Sequence, residues 1–433
     1  GVRAVDLSAG MTSYLVTLAV LIPVSSWTAE RFGTREVFGW AIAVFTFASV
    51  LCGLAQTAEQ FTLARILQGA GGAMMVPVGR LAALRGVEKK DLMRTIAFIT
   101  WPGLVAPVIG PPLGGLITAY ASWRWIFLLN VPLGIAGFFL VRAHVRNHGV
   151  GQKRPFDAPG FVLSGAALAA VMVGLELVGR EGSLGEAGLY LLAGLVLGVI
   201  AVWHARRAAH PMLDFSVLRI PTFRVTVFSG TLSRIGISVT PFLAPLMFQQ
   251  GFGLNAFQSG LLFLAAALGN IGMKPMTSAV LRRFGFRNVS LGNLLVVGAA
   301  TFACGLLAPD TAVPLILMTM AVYGLSRSMQ FTALVTLAFA DVPADKMSNA
   351  NILFNTVFQL AMGLRVAAGA LALHVAVWLH GGDAAKPHAA DFSLAFMLTA
   401  ALILISLGGY WRLRPDAGAQ VSGHKAGEPS SAR

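Results

Sequence analysis

The chain has 433 residues, of which 56% are hydrophobic and 12% charged, and its formal net charge is +14. A water-soluble domain carries about twice that charged share, so a soluble fold is excluded. Two cysteines, Cys52 and Cys304, are too few for a disulfide framework.

In chain order, thirteen apolar blocks run at about 11–29, 37–56, 61–84, 95–118, 124–143, 159–179, 187–204, 223–248, 257–280, 288–308, 312–334, 348–379 and 392–411. A helix needs ~20 apolar residues to cross a hydrocarbon core ~30 Å thick. Every block is too long for a barrel strand, and lipid obliges each segment to satisfy its own backbone. The blocks therefore predict an all-α transmembrane protein. Suppose the loop after the first block faces the cytoplasm. Then only Arg3, Arg124, Arg180 and Lys386 lie on the far side, six basic residues lie inside blocks, and the rest of the 32 lie with that loop. This positive-inside bias predicts a multi-pass protein of the bacterial inner membrane with a cytoplasmic C-terminus. It accounts for the charge without a nucleic-acid partner.

The first block closes in Ser26-Trp-Thr-Ala-Glu30-Arg31-Phe-Gly33-Thr-Arg35, where a glycine turn can hold an acid against arginines. Arg65-Ile-Leu-Gln68-Gly69 lies inside the third block. An arginine at a helix centre costs ~2.5–3.5 kcal/mol on insertion scales, so it is expected to face protein or water and to have a functional part. Gly103-x6-Gly110-Pro111-Pro112-Leu113-Gly114-Gly115 lies in the fourth block. Its glycines allow close helix approach and its prolines bend the helix.

The chain also repeats itself at an offset of 252. Pro23 meets Pro275, Arg31-Phe32-Gly33 meets Arg283-Phe284-Gly285, Arg35 meets Arg287, and Cys52-Gly53-Leu54 meets Cys304-Gly305-Leu306; twelve of 32 positions from Pro23 to Leu54 are identical. Duplicated halves are the expected cause. The second copy has two blocks before its Arg-Phe-Gly loop and the first copy one, so the sequence is expected to lack a first helix, with fourteen in its full form. The blocks at 159–179 and 187–204 belong to neither half. The expected division is an N-terminal transmembrane half at 1–143, an inserted helix pair with its loops at 144–222, a C-terminal half at 223–414, and a disordered cytoplasmic tail at 415–433.

The motifs together resemble the major facilitator superfamily. The loop from Ser26 to Arg35 is similar to its signature Gly-x-Leu-Ala-Asp-Arg-x-Gly-Arg-Lys, with Ser26 for the first glycine and Glu30 for the aspartate. Arg65-x-x-Gln68-Gly69 resembles the second motif, and Gly103 to Gly115 the antiporter motif. Leu67 to Arg80 and Ser122 to Pro132 resemble the fourteen-helix drug:proton antiporter branch, over about Met11 to Leu413. The resemblance implies a major facilitator fold of two six-helix repeats plus an inserted pair, thirteen helices visible of fourteen. It further implies a cytoplasmic latch at Glu30, Arg31, Gly33, Arg35, Arg283, Gly285 and Arg287, and an antiporter motif at Gly103, Gly110, Pro111, Pro112, Gly114 and Gly115.

The basic residues inside blocks are Arg65, Arg80, Arg234, Lys274, Arg327 and Arg365. In the superfamily the first and fourth helices of each half line the cavity, which implies that Arg65, Arg80, Arg234 and Arg327 lie on cavity helices. Arg80 and Lys274 lie near cytoplasmic ends, where long side chains can snorkel. Glu176 is the only carboxylate inside a block. A cavity with arginines and no acid holds anions better than cations. The expected partners are a small organic anion or amphiphile as substrate, protons, and membrane lipid, with a pathway at Arg65, Gln68, Gly69, Arg234, Arg327 and Gln330. Arg327-x-x-Gln330 echoes Arg65-x-x-Gln68 at a separation of 262, not 252, and is read as coincidence. His374 is read as a packing residue, and His144-x3-His148 lacks the acids or thiols of a metal site, so no metal or cofactor is expected. No phosphate-binding loop of the ATPase type occurs, which points to an ion gradient and alternating access. The alternative reading is a non-transporting membrane sensor or a truncated remnant. A membrane enzyme is disfavoured, because no acid–base constellation lies at membrane depth.

Overall fold

The computed structural model describes residues 4–84, 121–145, 155–178, 184–381 and 387–424, with isolated positions between 85 and 120. Among the described residues there are helices and no strand. The first block becomes α1 (Ala4–Leu21) and α2 (Val24–Phe32), followed by α3 (Thr34–Leu54) and α4 (Ala58–Leu84). Next come α5 (Arg124–Leu128), α6 (Asn130–His144), α7 (Ala158–Val178) and α8 (Leu184–Arg207). The later blocks form α9 (Pro221–Leu246), α10 (Ala256–Gly272), α11 (Lys274–Gly305), α12 (Val313–Ala340), α13 (Met347–His380), α14 (Ala389–Ile405) and α15 (Leu407–Trp411), with a short α16 (Ala419–Ser422) in the tail. Eight spans among the described residues are long and apolar enough to cross a membrane, with two shorter apolar helices at Gly10–Leu21 and Phe257–Gly272. Both α4 and α12 are also long, at 27 and 28 residues, but carry arginine and polar residues along their length.

The chain forms two compact units. One comprises Gly1–Gly86, Ile109–Val217 and Pro343–Leu360; the other comprises Val87–Val108, Leu218–Val342 and Ala361–Arg433. Within the first, α1 and α3 pack on α4, and α6 packs on α3. Within the second, α10 and α11 pack on α12, and α14 packs on α11. These are the same pairings at the repeat offset.

The repeat extends to backbone detail. Proline has no N–H and its ring clashes with the carbonyl four residues back. Accordingly α1 gives way to α2 at Pro23, and α10 to α11 at Pro275. Gly33 then turns the chain between α2 and α3 with φ 92° and ψ 141°. Its counterpart Gly285 does so within α11, with φ 72° and ψ 164°. This region is open essentially to glycine alone. Burial follows suit: Cys52 and Cys304 are fully buried, while Leu54 and Leu306 are exposed in both copies. The duplicated sequence thus folds into duplicated structure.

The inserted helices α7 and α8 pack on each other, and α7 also packs on α1. Asp157 caps α7, accepting from Gly160 N at 2.9 Å. The same carboxylate accepts from Met212 N at 3.0 Å and pairs with His204 Nε2 at 2.8 Å, tying the end of α8 and the strap beyond it to the start of α7.

The tail departs from its expected disorder. Residues 415–424 are folded onto α11 and α12, and 425–433 lie outside the described residues. Gly418 and Gly423 take left-handed conformations around α16, which buries Val421 and Ser422. His424 lies over Gly285 and makes a hydrogen bond of 3.1 Å with the Arg282 carbonyl. Small residues read as disorder by composition, yet their smallness is what lets this segment lie close against Phe286 and Ala340.

A side chain at Gly285 meets two obstacles, its own φ and the His424 ring 2.8 Å from a β-carbon built there. Gly285→Ala is expected to destabilise the protein in detergent by about 1–3 kcal/mol. Gly292→Ala, on the same helix with nothing within 4 Å of the added carbon, is expected to leave thermal unfolding unchanged or slightly improved.

Candidate functional site

Arg65 is held in the first unit by amides and rings. Its guanidinium donates to Gln68 Oε1 and stands 4.2 Å from the centre of the Tyr14 ring, with Phe127 behind it at 5.7 Å. The spacing of three residues puts Arg65 and Gln68 on one helix face. Gln68, 1% exposed, donates in turn to Ser49 Oγ at 2.7 Å, and Asn130 Nδ2 reaches the same oxygen at 3.4 Å. Gly69 permits the arrangement, because a β-carbon there would lie 2.8 Å from the Tyr14 carbonyl. Arg65 Nε is left buried without a hydrogen bond. Losing Gln68 would strand further buried groups, each at a cost of ~1–3 kcal/mol.

A second set of contacts was not foreseen. Arg80 does not merely snorkel: it donates to Asn355 Oδ1 at 2.9 Å and faces the Phe354 ring at 5.4 Å. Asn355 donates to Asn351, and Asn351 Nδ2 donates to the Pro77 carbonyl at 3.0 Å. Lys274 likewise donates to Thr332 Oγ1 at 2.8 Å within the second unit.

In the second unit Arg234, 3% exposed, and Arg327 share one aromatic ring. Their guanidinium carbons lie 5.6 and 5.5 Å from the centre of Phe331. Arg365 lies close enough to Arg327 for the two charges to repel. Neither Arg327 nor Arg365 forms an ion pair with a carboxylate among the described residues. Gln330 is buried and accepts from Asn293 Nδ2 at 3.0 Å, leaving its own amide nitrogen without a partner. The two Arg-x-x-Gln runs are placed differently. Arg65 lies about 10 Å along α4, and Arg327 about 21 Å along α12, at 1.5 Å per residue.

A family model described as Major Facilitator Superfamily matches residues 1–365. The chain belongs to that superfamily. It is 36% identical over 416 residues to a protein of Klebsiella pneumoniae (strain 342) bearing the multidrug-resistance name MdtD, covering 94% of this chain and 87% of that one. A Cronobacter sakazakii protein of the same name is 37% identical over 365 residues, covering 84% and 77%. Among solved structures, the human organic anion transporter MFSD10 matches with a TM-score of 0.67 at 13% identity, covering 93% of this chain and 83% of that one. A bacterial homologue of the iron transporter ferroportin, in an outward-facing state, matches at 0.65 and 14% identity, covering 95% and 90%. At such identities the structural likeness speaks for the fold alone.

The superfamily's signature loop is built differently from the expected latch. Glu36, in the first turn of α3, is the acid that meets arginines: Arg35 at 3.3 Å and Arg142 at 3.3 Å. Glu36 lies three residues after the glycine, in a helix's first turn, where an acid is favoured, and that was the available signal. Arg31 instead faces the rings of Trp27 and Phe32 at 5.5 and 5.9 Å. Glu30 lines a cavity of about 360 Å3 with Trp27, Asp157, Asp214, Lys346 and Asn349. In the second copy Arg283 faces Phe284, and Arg287 donates to the Trp411 carbonyl at 3.2 Å. The antiporter motif at Gly103, Gly110, Pro111, Pro112, Gly114 and Gly115 lies outside the described residues. Glu176 lines a cavity of about 400 Å3 with Thr12, Ser13 and Thr17. Among the described residues no cluster of three His, Cys, Asp or Glu groups could hold a metal ion.

Asp157, at the edge of the membrane segments, carries a clear electrostatic signature. Burial pushes its carboxyl up, but the hydrogen bonds from Met212 N, His204 and Gly160 N outweigh that and hold it below the ordinary value. A depressed folded-state pKa contributes stability above the unfolded value of about 3.9, lost as pH falls through the folded one. Backbone amides at 209, 210 and 212–214, compared after correction for intrinsic exchange, are therefore expected to stay equally protected from pH 8 to pH 5 and to open only below about 4. Asp157→Asn should open them at every pH.

Proposed function

We propose that this superfamily member is a secondary active exporter, moving small organic anions or amphiphiles out of the cell in exchange for protons by alternating access. In this reading it lies in the bacterial inner membrane with its C-terminus in the cytoplasm. The MdtD relatives, named for multidrug resistance, support efflux. The observation that carries the substrate class is the pairing of Arg234 and Arg327 on the Phe331 ring, with Arg365 near Arg327. A guanidinium face-on to an aromatic ring is solvated without being neutralised. The hydrogen-bond donors of Arg327 remain available for a carboxylate, sulfonate or phosphate, whose geometry the planar fork matches. Arg65, resting on Tyr14 and Gln68, plays the same part in the first unit.

The exchange for protons is consistent with the absence of an ATP-binding loop from the sequence and with the motif spacing. Glu30, Arg31, Gly33 and Arg35, together with Arg283, Gly285 and Arg287, act as hinge and latch groups at the ends of their helices, with Glu36 as the acid. Gly103, Gly110, Pro111, Pro112, Gly114 and Gly115 serve as the antiporter motif that separates exchange from leak.

Purified full-length protein in proteoliposomes should move a fluorescent organic anion when a proton gradient is imposed and not when the gradient is collapsed. Arg327→Gln and Arg65→Gln should each lower the rate roughly tenfold or more, the equivalent of ~1.5–3 kcal/mol for one charge-assisted hydrogen bond. Transport of lipophilic cations alone, at rates indifferent to both substitutions, would overturn the substrate class.

A further inference from the structure

The inserted helices α7 and α8 have no part in the proposed transport step, yet they frame the largest apolar groove among the described cavities. It holds about 630 Å3, and its walls are almost wholly apolar. One wall is α8 from Gly194 to Arg206, a rise of about 18 Å at 1.5 Å per residue. That is close to one leaflet, half of a hydrocarbon core ~30 Å thick. The groove is therefore as long as an acyl chain lying in one leaflet is deep.

Its polar groups are few and well placed. Arg206 lines the groove at the basic end of α8, is exposed, and has no hydrogen bond or ion pair to a described residue. The neighbouring Arg207 is engaged elsewhere, lying 4.0 Å above the Trp203 ring. Thr356, 5% exposed, also lines the groove, and its hydroxyl is buried without a partner. An unused buried donor is costly unless a ligand supplies an acceptor. Gly198 forms open floor, since a β-carbon there would meet nothing within 4 Å.

We infer that this groove is a binding site for an anionic phospholipid, one acyl chain along α8, the phosphate on Arg206 and an ester oxygen in reach of Thr356. Charge complementarity selects the occupant. An arginine at the end of a membrane helix attracts an anionic headgroup by ~1 kcal/mol, while a zwitterionic lipid of the same chains gains little. The inserted pair then anchors the first unit to the lipid around it, whatever the transported substrate.

The test uses the full chain exposed to vesicles of equimolar phosphatidylglycerol and phosphatidylcholine with identical chains, followed by native mass spectrometry of the retained lipid. The wild type should retain phosphatidylglycerol over phosphatidylcholine by roughly fivefold, the ratio that corresponds to ~1 kcal/mol. Arg206→Gln, at an exposed position that leaves the fold intact, should bring that ratio close to one. Gly198→Leu should fill the floor and lower retention of both lipids. Arg412→Gln, an exposed arginine outside the groove, should change nothing. A wild-type ratio near one, a ratio unmoved by Arg206→Gln, or an equal fall in Arg412→Gln would each overturn the site.

Discussion

A guanidinium at membrane depth must be solvated by the protein, because lipid cannot do it. The cost of leaving one bare is several kcal/mol, and two solutions are open: pair it with a carboxylate or surround it with polarisable rings and amides. Described contacts at Arg65 and Arg327 follow the second route. Arg65 rests on Tyr14 and Gln68, and Arg327 on Phe331. A carboxylate would have quenched the charge; a ring and an amide hold it in place and leave it positive. The proposed selection of anions follows from that difference alone.

The frame that carries these arginines is duplicated in sequence and in conformation. Each copy breaks a helix at a proline and turns it at a glycine whose positive φ bars other residues. The two copies then diverge in what secures the turn. In the first, Glu36 draws together Arg35 and Arg142. The second has no acid at the matching place, since Asn288 stands there, and the tail lies over Gly285 through His424 instead. One hinge is held by ion pairs and the other by a strap, so salt should act on the first more than on the second.

Membrane spans, the internal repeat and the superfamily were legible in the sequence because each is written in short-range pattern: block length, offset identity and motif. What escaped notice depends on residues far apart in the chain. The Arg80–Asn355 bond joins positions 275 apart, and Lys274 meets Thr332 across 58. No local signal marks either, so both cations read as snorkelling side chains. Glu36 lay one residue past the motif and was passed over for Glu30, which lines a cavity together with Asp157. The tail was misjudged because its composition is that of a disordered segment, while its packing depends on Phe286 and Ala340, more than 75 residues upstream.

The charge on Arg327 stays unneutralised in its half-buried setting. Equilibrium binding of a matched pair of aromatic ligands, one carrying a sulfonate and the other a trimethylammonium, measures it directly on the purified protein. The account predicts that the sulfonate binds, that Arg327→Gln weakens it by roughly tenfold or more, and that the trimethylammonium binds no better to the wild type than to the variant. Tight binding of the trimethylammonium ligand by the wild type, with the sulfonate excluded, would contradict it.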